Sequence, residues 1–312
     1  MRRILAFAAA LVVFPSAALA ASPSQIHLST GIRDGHRVWV MKGQRVLIQG
    51  ARPFAEPGFA TAVITRNGHK VTDTRSPLRG GAAGAANGIT LHFTAKRPGT
   101  YKIMVRVFKE PDEVNPAGAA LLAVHVIKPK AHIGSHNKSV RLMQKGLRAL
   151  AYVTPVNGRY DDATGRAVMA FRKVNGMQRV QSVNSQIFKK LFRGKGSFKL
   201  KHPKAGKHVE FDWSRQVLVF ARNGKPVRIY HASSGKPSTP TVFGTFHFYS
   251  KTLGTNAKGM VDSNYFIRGY AVHGYFDVPP YAASHGCIRV PIPDAKSIYD
   301  WISIGDTIFV YR

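Results

Sequence analysis

The sequence predicts a multidomain, mostly β protein with a small helical stretch between two β-rich regions. Three observations carry that reading. The chain has 312 residues, more than a single core usually organises. From Ser24 to Lys128, and again from Val209 onward, short runs of alternating character are separated by Gly, Pro and Asn. Between them, from Ser139 to about Arg193, the period lengthens to that of helices. The expected divisions are residues 1–20, 22–129, 138–193 and 207–312.

The first segment is a leader. Arg2 and Arg3 precede an apolar run from Ile4 to Phe14, and Ala18-Leu19-Ala20 supplies small residues for cleavage near Ala20. The run is short for a bilayer span of about 20 residues, so export is expected, with no membrane span after cleavage. Residues 22–129 then offer strands at Arg37–Val40, Gln44–Ile48, Gly58–Thr65, Ile89–Thr94, Lys102–Phe108 and Leu121–Ile127, with a turn at Asn67-Gly68. Many short alternating strands of this kind resemble an immunoglobulin-like (Ig-like) β-sandwich. Gly80 to Gly88 is a Gly/Ala-rich loop, and residues 129–137 read as a linker.

In the helical stretch Val140, Met143, Leu147 and Leu150 share one face. Asp161 or Asp162 caps a second helix carrying Ala167, Val168, Phe171 and Val174, and Ile187, Phe188, Leu191 and Phe192 mark a third. Met143, Val168 and Phe171 are expected in its core. Residues 194–207 carry Lys195, Lys199, Lys201, Lys204 and Lys207 and read as a solvated charge run. Strands follow at Gln216–Phe220 and Pro226–Tyr230 around Asn223-Gly224, then at Phe243–Tyr249, Tyr265–Val272 and Thr307–Tyr311, with a helix at Asp294–Trp301.

Charge and cysteine usage narrow the function. Lys and Arg number 46 against 15 Asp and Glu, a formal +31, a field that attracts polyanions. In an exported chain that favours an anionic envelope polymer over nucleic acid. Cys287 is the sole cysteine, so an internal disulfide is excluded. A buried inert thiol, an intermolecular disulfide and a reactive thiol stay open on this count alone.

The neighbours of Cys287 bear on the choice. A nucleophilic thiol needs a base, the base needs an orienting partner, and the tetrahedral intermediate needs donors. His273 and His285 supply imidazoles, and Gly286 in Ser284-His285-Gly286-Cys287 admits a close backbone approach. The same side chains, with His231 or His247 as a fourth, also offer zinc ligands, though no pair has a familiar zinc spacing.

Two resemblances sharpen the picture. Met143-Gln144, Asn157-Gly158 and Thr164, Ala167, Val168 and Phe171 resemble the peptidoglycan-binding domain found beside cell-wall enzymes, with Arg172 where that pattern has glutamine. Val272-His273-Gly274 and Ser284-His285-Gly286-Cys287-Ile288-Arg289 resemble the catalytic motif of the L,D-transpeptidase (YkuD-type) family. Ser233-Ser234-Gly235, Thr239-Pro240-Thr241 with Gly244-Thr245-Phe246, and Gly305-Asp306-Thr307 extend the likeness over residues 209–312.

The resemblance implies a β-rich transpeptidase domain in which Cys287 is the nucleophile and His273 the general base and later acid. The Gly274 carbonyl would orient His273. The Gly286 and Cys287 amides, with His285, would form the oxyanion hole. Ser284 would shape the loop, and Arg289 would hold a substrate carboxylate or serve a structural ion pair. It implies a secreted transferase of cell-wall biogenesis and cell shape that forms 3→3 crosslinks between peptidoglycan stems through a thioester, with no cofactor or metal, and that carbapenems acylate. Its expected partners are stem peptides and glycan, then anionic wall polymers, and its expected location is the cell wall or periplasmic-side envelope. L,D-carboxypeptidase action and non-catalytic wall binding are the alternatives.

Overall fold

The computed structural model describes residues 26–84 and 88–312. The leader expected over residues 1–20 lies outside the described residues. Among the latter, no helix is long and apolar enough to cross a membrane.

The N-terminal strands are β1 (Ile26–Leu28), β2 (Ile32–Asp34), β3 (Arg37–Met41), β4 (Arg45–Gly50), β5 (Gly58–Arg66), β6 (His69–Leu78), β7 (Ile89–Thr94), β8 (Gly99–Phe108) and β9 (Gly118–Ile127). Helices α1 (Lys138–Ala149), α2 (Asp162–Val174) and α3 (Ser185–Phe192) follow. The remainder is β10 (His208–Asp212), β11 (Val217–Arg222), β12 (Lys225–His231), β13 (Gly244–His247), β14 (Ser250–Thr255), β15 (Val261–Ile267), β16 (Tyr270–Tyr275), β17 (Ile288–Pro291), α4 (Ile292–Trp301) and β18 (Thr307–Tyr311).

The chain divides into two compact units. The first holds the described residues up to Ser29, Leu47–Phe93 and Tyr101–Ala123. In it β4 lies between β1 and β7, and β5 pairs antiparallel with β6 and β8. Alternate side chains of β5 and β8, such as Ala60, Ala62, Ile64, Ile103 and Val105, are buried, the period-2 pattern the sequence displays.

The second unit holds Thr30–Val46, Thr94–Thr100 and Val124–Arg312. Asn137, Asp161 and Asn184 cap α1, α2 and α3 by accepting from the backbone N–H three residues on. Ile32 from the β2–β3 hairpin joins Met143, Leu147, Val168, Phe171 and Leu191 in the helical core. Asp34 accepts from Lys138 and Lys145. Burial pushes its carboxyl up, but these two lysines outweigh that and hold it well below the usual range.

Two sheets, one ordered β12-β11-β10-β18-β13 and one ordered β14-β15-β16-β17, carry the second core of this unit. Val209, Phe211, Phe220, Phe248, Phe266, Val272, Ile288 and Ile308 fill it, and α4 adds Ile298.

Two expectations need correction. Tyr265–Val272 is not one strand. It folds back as the antiparallel pair β15/β16, with Arg268 at φ 49° and Gly269 beside it. An alternating run conceals such a turn because both strands keep the same polarity pattern. Residues 194–207 are not wholly solvated either. Phe198 and Leu200 are buried in the helical core, and the amides of Lys201 and His202 donate to Glu210.

Candidate active site

The cysteine and the buried histidine meet at the parallel pair β16/β17, His273 on β16 and Cys287 just before β17. The register sets His273 opposite Arg289 and Val272 opposite Ile288. Cys287 lies immediately before β17, two residues from Arg289. His273 and Cys287 line one cavity of about 240 Å³ together with Ser284, His285, Arg289, Lys258 and Tyr275.

His273 is only 3% exposed. Its Nδ1–H donates to the Gly274 carbonyl at 2.9 Å, which leaves the Nε2 lone pair as the ring's basic site. Burial pulls the imidazole down to about 4 from an ordinary 6.5, the Gly274 carbonyl opposes this, and the Arg289 charge adds to it. Burial also pushes the Cys287 thiol above its ordinary 9.0, against the Ala271 N–H and the charges of Arg289 and Lys258. At neutral pH the resting pair is a neutral imidazole and a protonated thiol, and the thiol lies 3.7 Å from the Gly269 carbonyl.

The loop before Cys287 is held from within and from the side. Ser284 Oγ donates to the Cys287 carbonyl at 2.6 Å and accepts the Gly286 N–H at 3.1 Å. The Gly286 amide is thus engaged inside the turn in this structure, rather than aimed at a substrate oxygen as the motif led us to expect. Gly286 has φ 116°, and a Cβ there would stand 2.1 Å from the Tyr270 ring, so no other residue fits. From the side, Thr239 Oγ1 donates to the Ser284 carbonyl and Thr241 Oγ1 to the Gly286 carbonyl. A Cβ on Gly235 would stand 2.9 Å from Gly286 Cα. The Ser-x-Gly and Thr-Pro-Thr segments thereby brace the cysteine loop.

Arg289 lies over the Tyr275 ring at 4.0 Å and reaches Asp277 at 3.7 Å. Tyr275 meets His273 edge to face at 5.7 Å. His285 is exposed at the cavity wall. Of the other histidines weighed as zinc ligands, His231 donates to the Val278 carbonyl and His247 sits beside the Gly305 carbonyl. Among the described residues, no three His, Cys, Asp or Glu side chains are grouped to hold a metal. Sequence reasoning missed Lys258, Met260, Gly269 and Tyr275. The β14–β15 turn brings Lys258 to the cavity, and no local pattern announces that.

A thiol at the foot of β17 and a buried imidazole on β16 thus share one cavity, with a glycine-built loop leading to the thiol. Residues 206–310 match the L,D-transpeptidase catalytic domain (YkuD) and residues 136–180 match a peptidoglycan binding domain. The solved L,D-transpeptidase of Xylanimonas cellulosilytica is 32% identical, over 59% of this chain and 98% of that one, with a TM-score of 0.55. L,D-transpeptidase 1 of Mycobacterium tuberculosis is 32% identical over 123 residues, 31% of this chain and 47% of the relative. The chain thus spans about half the length of the curated relatives it matches. The chain belongs to the L,D-transpeptidase family.

Proposed function

We propose that this protein is an exported cysteine acyltransferase that forms 3→3 crosslinks between peptidoglycan stems. The observation that carries the reading is the shared cavity of Cys287 and His273, with Nδ1 of His273 committed to the Gly274 carbonyl. Nε2 takes the thiol proton as sulfur attacks the carbonyl of the third, diamino residue of a tetrapeptide stem. The terminal D-Ala amine leaves with that proton, and a thioester remains. The side-chain amine of a second stem then attacks the thioester, and Cys287 is released as the thiol.

The oxyanion role falls on the Cys287 amide, since Gly286 donates to Ser284. Arg289, set over Tyr275 and near Asp277, would exchange that ion pair for a substrate carboxylate. Residues 138–193 would hold the enzyme on glycan and raise the local concentration of stems. We read residues 22–129 as an Ig-like spacer, and the +31 charge as an affinity for anionic wall polymers.

Incubation with a disaccharide-tetrapeptide tests the proposal. Wild type should yield crosslinked dimers and a Cys287 thioester adduct by mass spectrometry, and Cys287→Ala neither. A monomer shortened by one residue, without dimers, would instead make the protein an L,D-carboxypeptidase. Neither adduct nor product would leave a non-catalytic wall binder.

A further inference from the structure

The chain between β16 and β17, residues 276–287, carries Cys287 and has no helix or strand of its own. Between Val278 and Tyr281, three of its carbonyls are held by side chains. His231 Nε2–H donates to Val278 at 2.8 Å, Arg179 Nη1 to Pro280 at 2.9 Å, and Ser233 Oγ to Tyr281 at 2.6 Å. The first two donors lead back to the helical segment. Arg179 follows α2 and also grips the Ser214 carbonyl at 2.7 Å.

His231 is governed by Lys173, in the last turn of α2 and 3% exposed. Lys173 Nζ reaches the carbonyls of Gln216 at 3.0 Å and Ala232 at 2.9 Å, and His231 Nδ1 at 2.7 Å. The Val278 carbonyl can only accept, so the His231 ring proton sits on Nε2 and Nδ1 presents a lone pair to Lys173. Burial pulls the Lys173 amine down to about 6, with the Arg179 charge adding to it, while three acceptors around Nζ match the three N–H groups of its protonated form. Burial, with the nearby Lys173 charge, pulls the His231 imidazole down to about 3, in keeping with a ring that accepts rather than carries charge.

We propose that Lys173, through His231, and Arg179 are positioning residues that hold the 276–283 crossover and thereby set the placement of Cys287. The helical segment is then part of the scaffold of the active site as well as a tether. The inference rests on the reading of Cys287 as the nucleophile.

Its test reads the crossover and the thiol without turnover. The full chain is compared with Lys173→Met, which keeps the stem and removes the donors, and with Arg179→Ala. The readouts are amide hydrogen exchange by mass spectrometry and the rate of Cys287 alkylation by iodoacetamide against pH. Either variant should exchange amides of residues 278–284 about tenfold faster or more, as loss of a charged hydrogen bond implies. In the same variant the alkylation midpoint should fall toward that of an ordinary thiol as burial is relieved. Wild-type exchange and an unchanged midpoint in both variants overturn the proposal. So does faster exchange confined to residues 214–232. Should Lys173→Met fail to fold, Arg179→Ala decides by the same two readouts. A wild type that makes no crosslinks, with variants that show these shifts, refutes the transpeptidase reading and leaves the positioning role intact.

Discussion

Removing the titrating ring at position 273 should change how the protein responds to acid. In the folded chain His273 is buried and takes a proton only near pH 4, whereas unfolded it does so near 6.5. Between those values the unfolded chain binds more protons, so stability rises with pH across that window. The contribution is complete above 6.5, is lost as pH falls toward 4, and is flat below. At about 1.36 kcal/mol per pH unit the whole interval is worth ~3.4 kcal/mol, of which ~2.8 falls between pH 7 and pH 4. His273→Gln fills similar space and does not titrate. Urea unfolding of both proteins at pH 7, 5.5 and 4 isolates the effect, because other groups cancel in the difference. Wild type should lose ~2.8 kcal/mol relative to the variant between the extremes, and about half of that by pH 5.5. Parallel stability curves would refute the claim that the fold holds this ring neutral.

Three further outcomes follow from the geometry. Ser284→Ala removes a bond to the Cys287 carbonyl and strands the Gly286 N–H, which should cost about 1–3 kcal/mol in urea unfolding. Gly286→Ala forces a methyl group to 2.1 Å from the Tyr270 ring at φ 116°. The loop must then move, and carbapenem adducts on Cys287 should disappear from the mass spectrum. Burial pushes the Glu210 carboxyl up, but His208, Tyr311 and the amides of Lys201 and His202 outweigh it and hold it at about 2. Its stabilisation is present above about 4.5 and lost as pH falls toward 2. Glu210→Gln should be about 1.5–3 kcal/mol less stable at pH 7 and should lose that acid sensitivity, as read by urea unfolding at pH 7 and 3.

What the sequence made legible was local. Asn67-Gly68 and Asn223-Gly224 turn hairpins because both residues of each pair adopt positive φ, which Asn and Gly tolerate. Asp161 caps α2 where an acid precedes the helical period, and Met143, Val168 and Phe171 are fully buried as their spacing required. The thiol and imidazole were recognisable from their motif, but their common cavity depends on the parallel pairing of β16 with β17, which no spacing encodes. Partners arriving from afar were hidden. Lys173 reads as one more cation on a basic helix until β11 and β12 fold over it. Phe198 and Leu200 were masked by the lysines around them, and Tyr275 by having no role in the motif itself.

The burial that raises the Cys287 thiol also decides how the sulfur ages. A deprotonated sulfur attacks peroxide and stray disulfides, so a site that keeps its proton at rest reacts slowly with them. The protection matters for this chain in particular. A sulfenic acid at Cys287 would find no second cysteine in the molecule with which to condense and be rescued. Burial that keeps the proton on this sulfur at rest therefore guards the one thiol that the chain has.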